Sequence, residues 1–241
     1  MLRFLCVVAL LCLAGCQSLQ EKNIELIQDR ANKLKPLMSF RPTWCRLETQ
    51  LTEPAKARYR EMFPDDVDKL GDSALNYTWK ARKYNCEITP LDSNPITKNH
   101  KAFLETALCT LLQVYWVNSP FEDLQIVPRD IQNEKDGRIH IEGSMIDKDL
   151  GLYLDPVNFN IDTRTKSHGV LKSTYSQIQG QWIPVKLEQV TNKADLVVDE
   201  IEYDTVPVGG RKLVKSLWIS VGDTGQPLQH THVTFTGCQN F

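Results

Sequence analysis

Beyond its first 15 residues, the 241-residue sequence contains no apolar run near the roughly 20 residues that a membrane-spanning helix needs. Nor does it cluster its lysines and arginines. Its 28 basic side chains are spread among 30 acidic ones for a formal net charge of −2, which argues against nucleic acid, because phosphate binding needs concentrated positive charge. There is no Gly-x-Ser-x-Gly elbow and no Ser-x-x-Lys pair, so an activated serine has no candidate. The double glycine Gly209-Gly210 precedes a strand pattern instead of a helix, which removes the usual phosphate loop. No two cysteines stand at CxxC spacing, so a structural zinc lacks its common ligand pattern. No motif implies a cofactor or names a catalytic residue. Carboxylates such as Asp147, Asp149 and Asp155 are uninformative in a chain with this many acids. Internal repeats and low-complexity tracts are absent as well.

What is present begins at the amino terminus. Met1, Leu2 and Arg3 precede an uninterrupted apolar run from Phe4 to Ala14, 11 residues without a charge, as in a signal peptide. A helix of that length covers about half of a hydrocarbon core, so a permanent span is not expected. The run ends in Leu13-Ala14-Gly15-Cys16, which resembles the lipobox of bacterial lipoproteins. The resemblance implies cleavage before Cys16 and acylation of its thiol. An acyl chain contributes about 0.8 kcal/mol per buried CH₂, and two or more chains hold a protein at a bilayer. Gln17 and Ser18 follow, neither of them the aspartate that by the same resemblance signals inner-membrane retention. The expected address is the periplasmic side of the outer membrane, lipid-anchored, in a Gram-negative source. The membrane is then one partner, and a lipid or an envelope protein a second.

Removal of residues 1–15 leaves 226 residues and takes away Arg3, moving the formal charge to −3. That length suits one large or two small domains. Cys6 and Cys12 leave with the signal and Cys16 is acylated, so Cys45, Cys86, Cys109 and Cys238 remain as disulfide candidates in an oxidising compartment. Four cysteines allow three pairings, all open at this stage. Any bridge from Cys238 closes a loop of more than 100 residues.

Residues 16–38 read as a tether followed by an amphipathic helix. Ser18 is placed to cap a helix from about Leu19 to Lys35, with Ile24, Ile27, Ala31 and Leu34 along one face. Residues 39–241 read as one α+β domain, helix-rich over 39–123 and a β-meander over 124–241. Thr52-Glu53-Pro54 opens a short helix to about Phe63. Asp65, Asp66, Asp68 and Asp72 lack EF-hand spacing and read as a solvated loop. Leu75, Tyr77, Trp79 and Ala81, then Tyr84, Cys86 and Ile88, alternate with polar residues as in a hairpin. From Thr97 to Val117 runs the most apolar helix, with Phe103, Leu104, Ala107, Leu108, Leu111, Leu112 and Tyr115 at three- and four-residue spacing. Cys109, Val114, Trp116 and Val117 widen that stripe, so this helix plugs a sheet or lines a cavity. Farther on the period is two. Strands are expected at 138–142, 151–155, 157–164, 170–177, 183–191, 196–205, 211–221 and 228–236, joined by turns rich in glycine, proline and aspartate. Short connections make this an antiparallel curved sheet, covered by helices.

Three segments carry a further resemblance: Leu152-Tyr153-Leu154-Asp155-Pro156; Tyr175 with Gln179-Gly180-Gln181-Trp182-Ile183-Pro184; and Thr224-Gly225-Gln226-Pro227-Leu228. Over roughly 110 residues this rhythm resembles the superfamily of periplasmic half-barrels. That superfamily includes the lipoprotein carrier and its outer-membrane acceptor, the mycobacterial lipid-binding lipoproteins and the sensor lobe of an envelope-stress regulator. The resemblance implies a half-barrel whose concave face is closed by helices over a cavity for acyl chains. Leu104, Leu108, Leu111, Leu112, Tyr115 and Trp116 of the apolar helix, with Trp182 and Trp218 from strands, are the candidate cavity residues. The same residues also suit a solid core.

The leading expectation is thus a non-enzymatic lipoprotein that binds a hydrophobic ligand. Its rival is a lipid-tethered interaction scaffold or sensor with a solid core. A third reading, a metal-dependent hydrolase, rests on His230-Thr231-His232, which puts two imidazoles on the same face of a strand, with His140, His168 or an acid elsewhere as third ligand. A solvated strand face accounts for the same residues and no metal is expected.

Overall fold

The computed structural model describes residues 18–38, 44–71, 73–82, 85–112, 131–142, 151–165, 169–178, 180–190, 195–205, 212–223 and 226–239. The signal segment and Cys16 lie outside these residues, as do Tyr115, Trp116 and His168.

Among the described residues the order begins with helix α1 (Leu19–Met38), strand β1 (Trp44–Leu51), helices α2 (Glu53–Met62) and α3 (Pro64–Leu70), and hairpin strands β2 (Leu75–Arg82) and β3 (Asn85–Pro90). Helix α4 (Pro95–Leu104) follows and runs directly into a π-helical segment, Glu105–Leu112. Nine strands follow among the described residues: β4 (Ile131–Asn133), β5 (Ile139–Glu142), β6 (Gly151–Leu154), β7 (Asn160–Thr165), β8 (Gly169–Ile178), β9 (Gln181–Val190), β10 (Asp195–Thr205), β11 (Lys212–Asp223) and β12 (Gln226–Gln239). No helix among the described residues is long and apolar enough to cross a membrane.

All 12 strands form one open, curved antiparallel sheet in the order β3-β2-β1-β12-β11-β10-β9-β8-β7-β6-β5-β4. From β4 to β12 each strand pairs with the next in sequence, the meander that period-two patterning predicts. The register aligns the apolar positions. Ile139 pairs with Leu154 and Leu154 with Ile161, while Ile141 pairs with Leu152, and all five are buried. Between β8 and β9, Ile178 pairs with Gln181, and Gly180 adopts φ +80, which a tight turn of this hand requires. Beyond β6, Asp155 Oδ1 accepts the amides of Val157 and Asn158 at 2.8 and 3.0 Å, an Asx turn that ends the strand.

The sheet also recruits the amino-terminal half. Strand β1 is absent from the sequence-based expectations although Cys45, Leu47 and Thr49 alternate with exposed Arg46, Glu48 and Gln50. It pairs with β12 from Leu51↔Thr231 to Trp44↔Gln239, so the two ends of the domain share a hydrogen-bonded ladder. The Cys45–Cys238 disulfide reinforces that closure across 193 residues. The second disulfide, Cys86–Cys109, ties β3 to the π-helical segment. Trp79 is fully buried beside it, its indole donating to Cys86 Sγ at 3.0 Å and meeting Phe235 edge-to-face at 5.8 Å.

Helix α1 is capped by a reciprocal box in which Glu21 N donates to Ser18 Oγ (3.2 Å) and Ser18 N to the Glu21 carboxylate (2.8 Å). Its buried face is Asn23, Ile27, Arg30 and Leu34, rotated from the apolar stripe expected through Ile24 and Ala31. Two polar contacts account for the rotation. Asn23 donates to Asn133 of β4 at 3.0 Å, and the Arg30 guanidinium lies 4.3 Å over the ring of Phe159, which in turn stacks on Trp182 of β9, the strand that α1 contacts. The acidic stretch is a helix and not the expected loop. Pro64 opens α3, Asp66 pairs with Lys69 at 3.7 Å, and Asp68 pairs with Arg60 at 3.8 Å, while Asp72 lies outside the described residues.

The apolar helix starts two residues before the expected Thr97, with Asn94 accepting the Ile96 amide at 2.8 Å and Pro95 in the first turn. Ile96, Thr97, His100, Leu104, Ala107 and Leu108 are buried. Helix α4 and its π extension both contact β3, and the π extension also contacts β9 and β10.

Candidate functional site

A cleft of about 330 Å³ opens where α2, α4 and the β11–β12 pair meet. Ala55, Arg58, Tyr59 and Met62 come from α2, Asn99, His100 and Phe103 from α4, and Val221, His230 and Thr231 from the sheet. Two local features put these side chains together. Thr52, the residue before α2, donates through its amide (3.1 Å) and hydroxyl (3.3 Å) to the His230 carbonyl, fixing the start of α2 on β12. On β12, Thr231 pairs with Ile219 but Gln229 pairs with Ser220, so His230 is the extra residue of a β-bulge. The bulge breaks alternation, and consecutive residues His230 and Thr231 both reach the cleft.

At the back stands His100, 1 % exposed. Its Nδ1 lies 2.9 Å from the Tyr77 hydroxyl and its Nε2 lies 3.0 Å from Thr231 Oγ1. Tyr77 donates its hydroxyl proton to the Thr97 carbonyl at 3.3 Å, so Nδ1–H donates to Tyr77 and Nε2 accepts from Thr231. The imidazole is therefore satisfied in its neutral form. Burial, with the nearby His230 adding to it, pushes its pKa down to about 3. The rings form a column: His100 against Phe103 at 5.7 Å, Phe103 against His230 at 6.2 Å, and Tyr59 edge-on to His100 at 6.4 Å.

The Thr231–His100–Tyr77 chain has the outline of a nucleophile, a base and an orienting group. Its chemistry runs the other way, because a base with a pKa near 3 has little drive to take a proton from a hydroxyl at neutral pH. The arrangement holds a shape and offers an apolar, aromatic wall with a few donors at its edge.

The residues singled out from sequence are not brought together as one lining. Leu104 and Leu108 are fully buried in the continuous core, and it is Phe103, one position earlier, that faces the cleft. Leu111 and Leu112 belong to the π-helical segment, but their side chains lie outside what is described. Trp182 stacks on Phe159 at 4.3 Å, and it is Phe159 that meets the Tyr175 ring at 5.4 Å and the Arg30 guanidinium at 4.3 Å. Strand alternation places Trp218 on the face opposite buried Leu217 and Ile219, against His232 at 4.9 Å and away from Leu104. The bulge likewise separates the two candidate imidazoles, sending His230 into the cleft while His232 stays with Trp218. His140 stacks on Tyr153 at 4.3 Å, 3.3 Å from Glu134. Among the described residues no group of three or more potential ligands could hold a metal ion.

No protein-family model, curated protein or solved structure matches this chain.

The sequence does not single out His100, Tyr59 or Arg58, and it marks Tyr77 only as a hairpin position. The available signal was a histidine on the buried face of the most apolar helix, four residues before Leu104, where an unsatisfied ring would be costly.

Proposed function

We propose that this chain is a lipid-anchored envelope protein that binds a hydrophobic ligand without chemically altering it. In this reading the open sheet is a half-barrel, α4 and its π extension cover the concave side, and the cleft beside α2 is the ligand seat. One observation carries the proposal. The cleft has apolar and aromatic walls from three separate elements, and its deepest polar group, His100, is already satisfied by Tyr77 and Thr231. A site so built gains from excluding water and asks no proton transfer of its occupant. The volume, about 330 Å³, is at the low end of the roughly 300–1,000 Å³ typical of small-molecule sites. That favours one chain or ring over the several acyl chains of a whole lipoprotein anchor. The Leu13-Ala14-Gly15-Cys16 pattern supports the address, and the two disulfides are in keeping with an oxidising compartment.

The test is extraction of the mature chain, residues 16–241 with Cys16→Ala, purified from a periplasm without detergent. Mass spectrometry of the organic extract is expected to find about one amphiphile per chain, and Ala55→Trp, which fills the cleft, is expected to remove it. An empty protein that also refuses added fatty acid would overturn the proposal and favour an interaction scaffold instead.

A further inference from the structure

The charges around the cleft are unbalanced. Helix α2 carries three cations: Lys56 pairs with Glu53 at 3.1 Å, Arg60 pairs with Asp68 at 3.8 Å, and Arg58 has no acidic partner among the described residues. Arg58 is the one that lines the cleft. Among the described residues that line it none is an aspartate or glutamate, and the Asn99 amide, the His230 ring and the Tyr59 hydroxyl can each donate. The Thr231 hydroxyl already spends its proton on His100. An apolar slot with one guanidinium and no carboxylate among its described lining residues complements one kind of molecule.

We propose that the cleft takes a single-chain anionic amphiphile, its chain against Tyr59, Met62, Phe103 and Val221 and its head group at Arg58, with Asn99 and His230 alongside. This rests on the cleft being the ligand seat. A volume of about 330 Å³ admits one chain but not a diacyl lipid. A cationic head is disfavoured by Arg58, and a neutral one gains no charge pairing from it. Carboxylate and phosphate monoester heads share the required chemistry, since guanidinium binds either through paired N–H donors.

Four ligands of equal chain length separate the alternatives: decanoate, decyl phosphate, decanol and decyltrimethylammonium. Each is titrated calorimetrically, below its micellar range, into the Cys16→Ala mature chain and into its Arg58→Gln and Arg60→Gln variants. Both anions are expected to bind about three- to tenfold more tightly than decanol, the range of a partly exposed charged pair, and the cation more weakly than decanol. Arg58→Gln should erase this order and Arg60→Gln, whose charge is already paired, should keep it. The tighter of the two anions indicates whether a fatty acid or a phosphate-bearing lipid is the natural source. Decanol binding as well as the anions, or an unchanged order in Arg58→Gln, overturns the anionic assignment while leaving the cleft as a ligand seat. Failure of all four ligands overturns both.

Discussion

Acidification should destabilise this protein through His100. The unfolded chain titrates the imidazole near 6.5, whereas the folded protein holds it neutral down to about 3. A histidine whose folded pKa is depressed contributes stability above the unfolded value and loses it as the pH falls from 6.5 toward 3. Linkage between those two values puts the loss at about 2 kcal/mol by pH 5 and about 3 kcal/mol by pH 4, relative to pH 8. The cause is desolvation of the charge and not a missing hydrogen bond, since a protonated ring still donates to Tyr77 and Thr231 Oγ1 can rotate to accept. Urea unfolding from pH 8 to pH 4, for wild type and His100→Gln, isolates this contribution as the difference between two stability curves. The glutamine variant is less stable at pH 8, and the gap should narrow by about 1.4 kcal/mol per pH unit below pH 6. Thr231→Val removes a hydrogen-bond partner but leaves the buried ring, so it should keep the acid slope. A difference curve that stays flat between pH 6.5 and 4 would refute the reasoning.

Two further outcomes follow from the fold. Loop-closure entropy assigns about 5 kcal/mol to a bridge across 193 residues and about 3 kcal/mol to one across 23, so Cys45→Ala with Cys238→Ala should cost more stability than Cys86→Ala with Cys109→Ala, and the reverse order in urea would contradict this account. Arg30→Ala removes the guanidinium over Phe159, and amide exchange should report α1 opening about 1–2 kcal/mol more easily while β9 keeps its protection; equal loosening of both would show that α1 and the sheet unfold together.

The strands from β5 onward were legible because their side chains alternate and turn residues bound them. The expected span 196–205 differs from β10 by one residue, and 170–177 from β8 by one at each end. Strand β1 carried the same alternation but was too isolated, between a helical pattern and Pro54, to suggest a partner. The rotation of α1 was hidden for another reason. Asn23 and Arg30 read as solvent-facing until Asn133 and Phe159, more than 100 residues later, supply their partners.

The sequence by itself determined the strand rhythm, the capped start of α1 and the buried apolar face of α4, since each rests on side-chain spacing within one segment of chain. The site was decided only by tertiary structure. Thr52 holds the carbonyl of a residue 178 positions away, His100 bonds to Thr231 across 131, and a single-residue bulge turns His230 into the cleft while leaving His232 outside it. An inserted residue changes the phase of a strand without changing its composition, so His230-Thr231-His232 looks like two imidazoles on one face until the register with β11 is known.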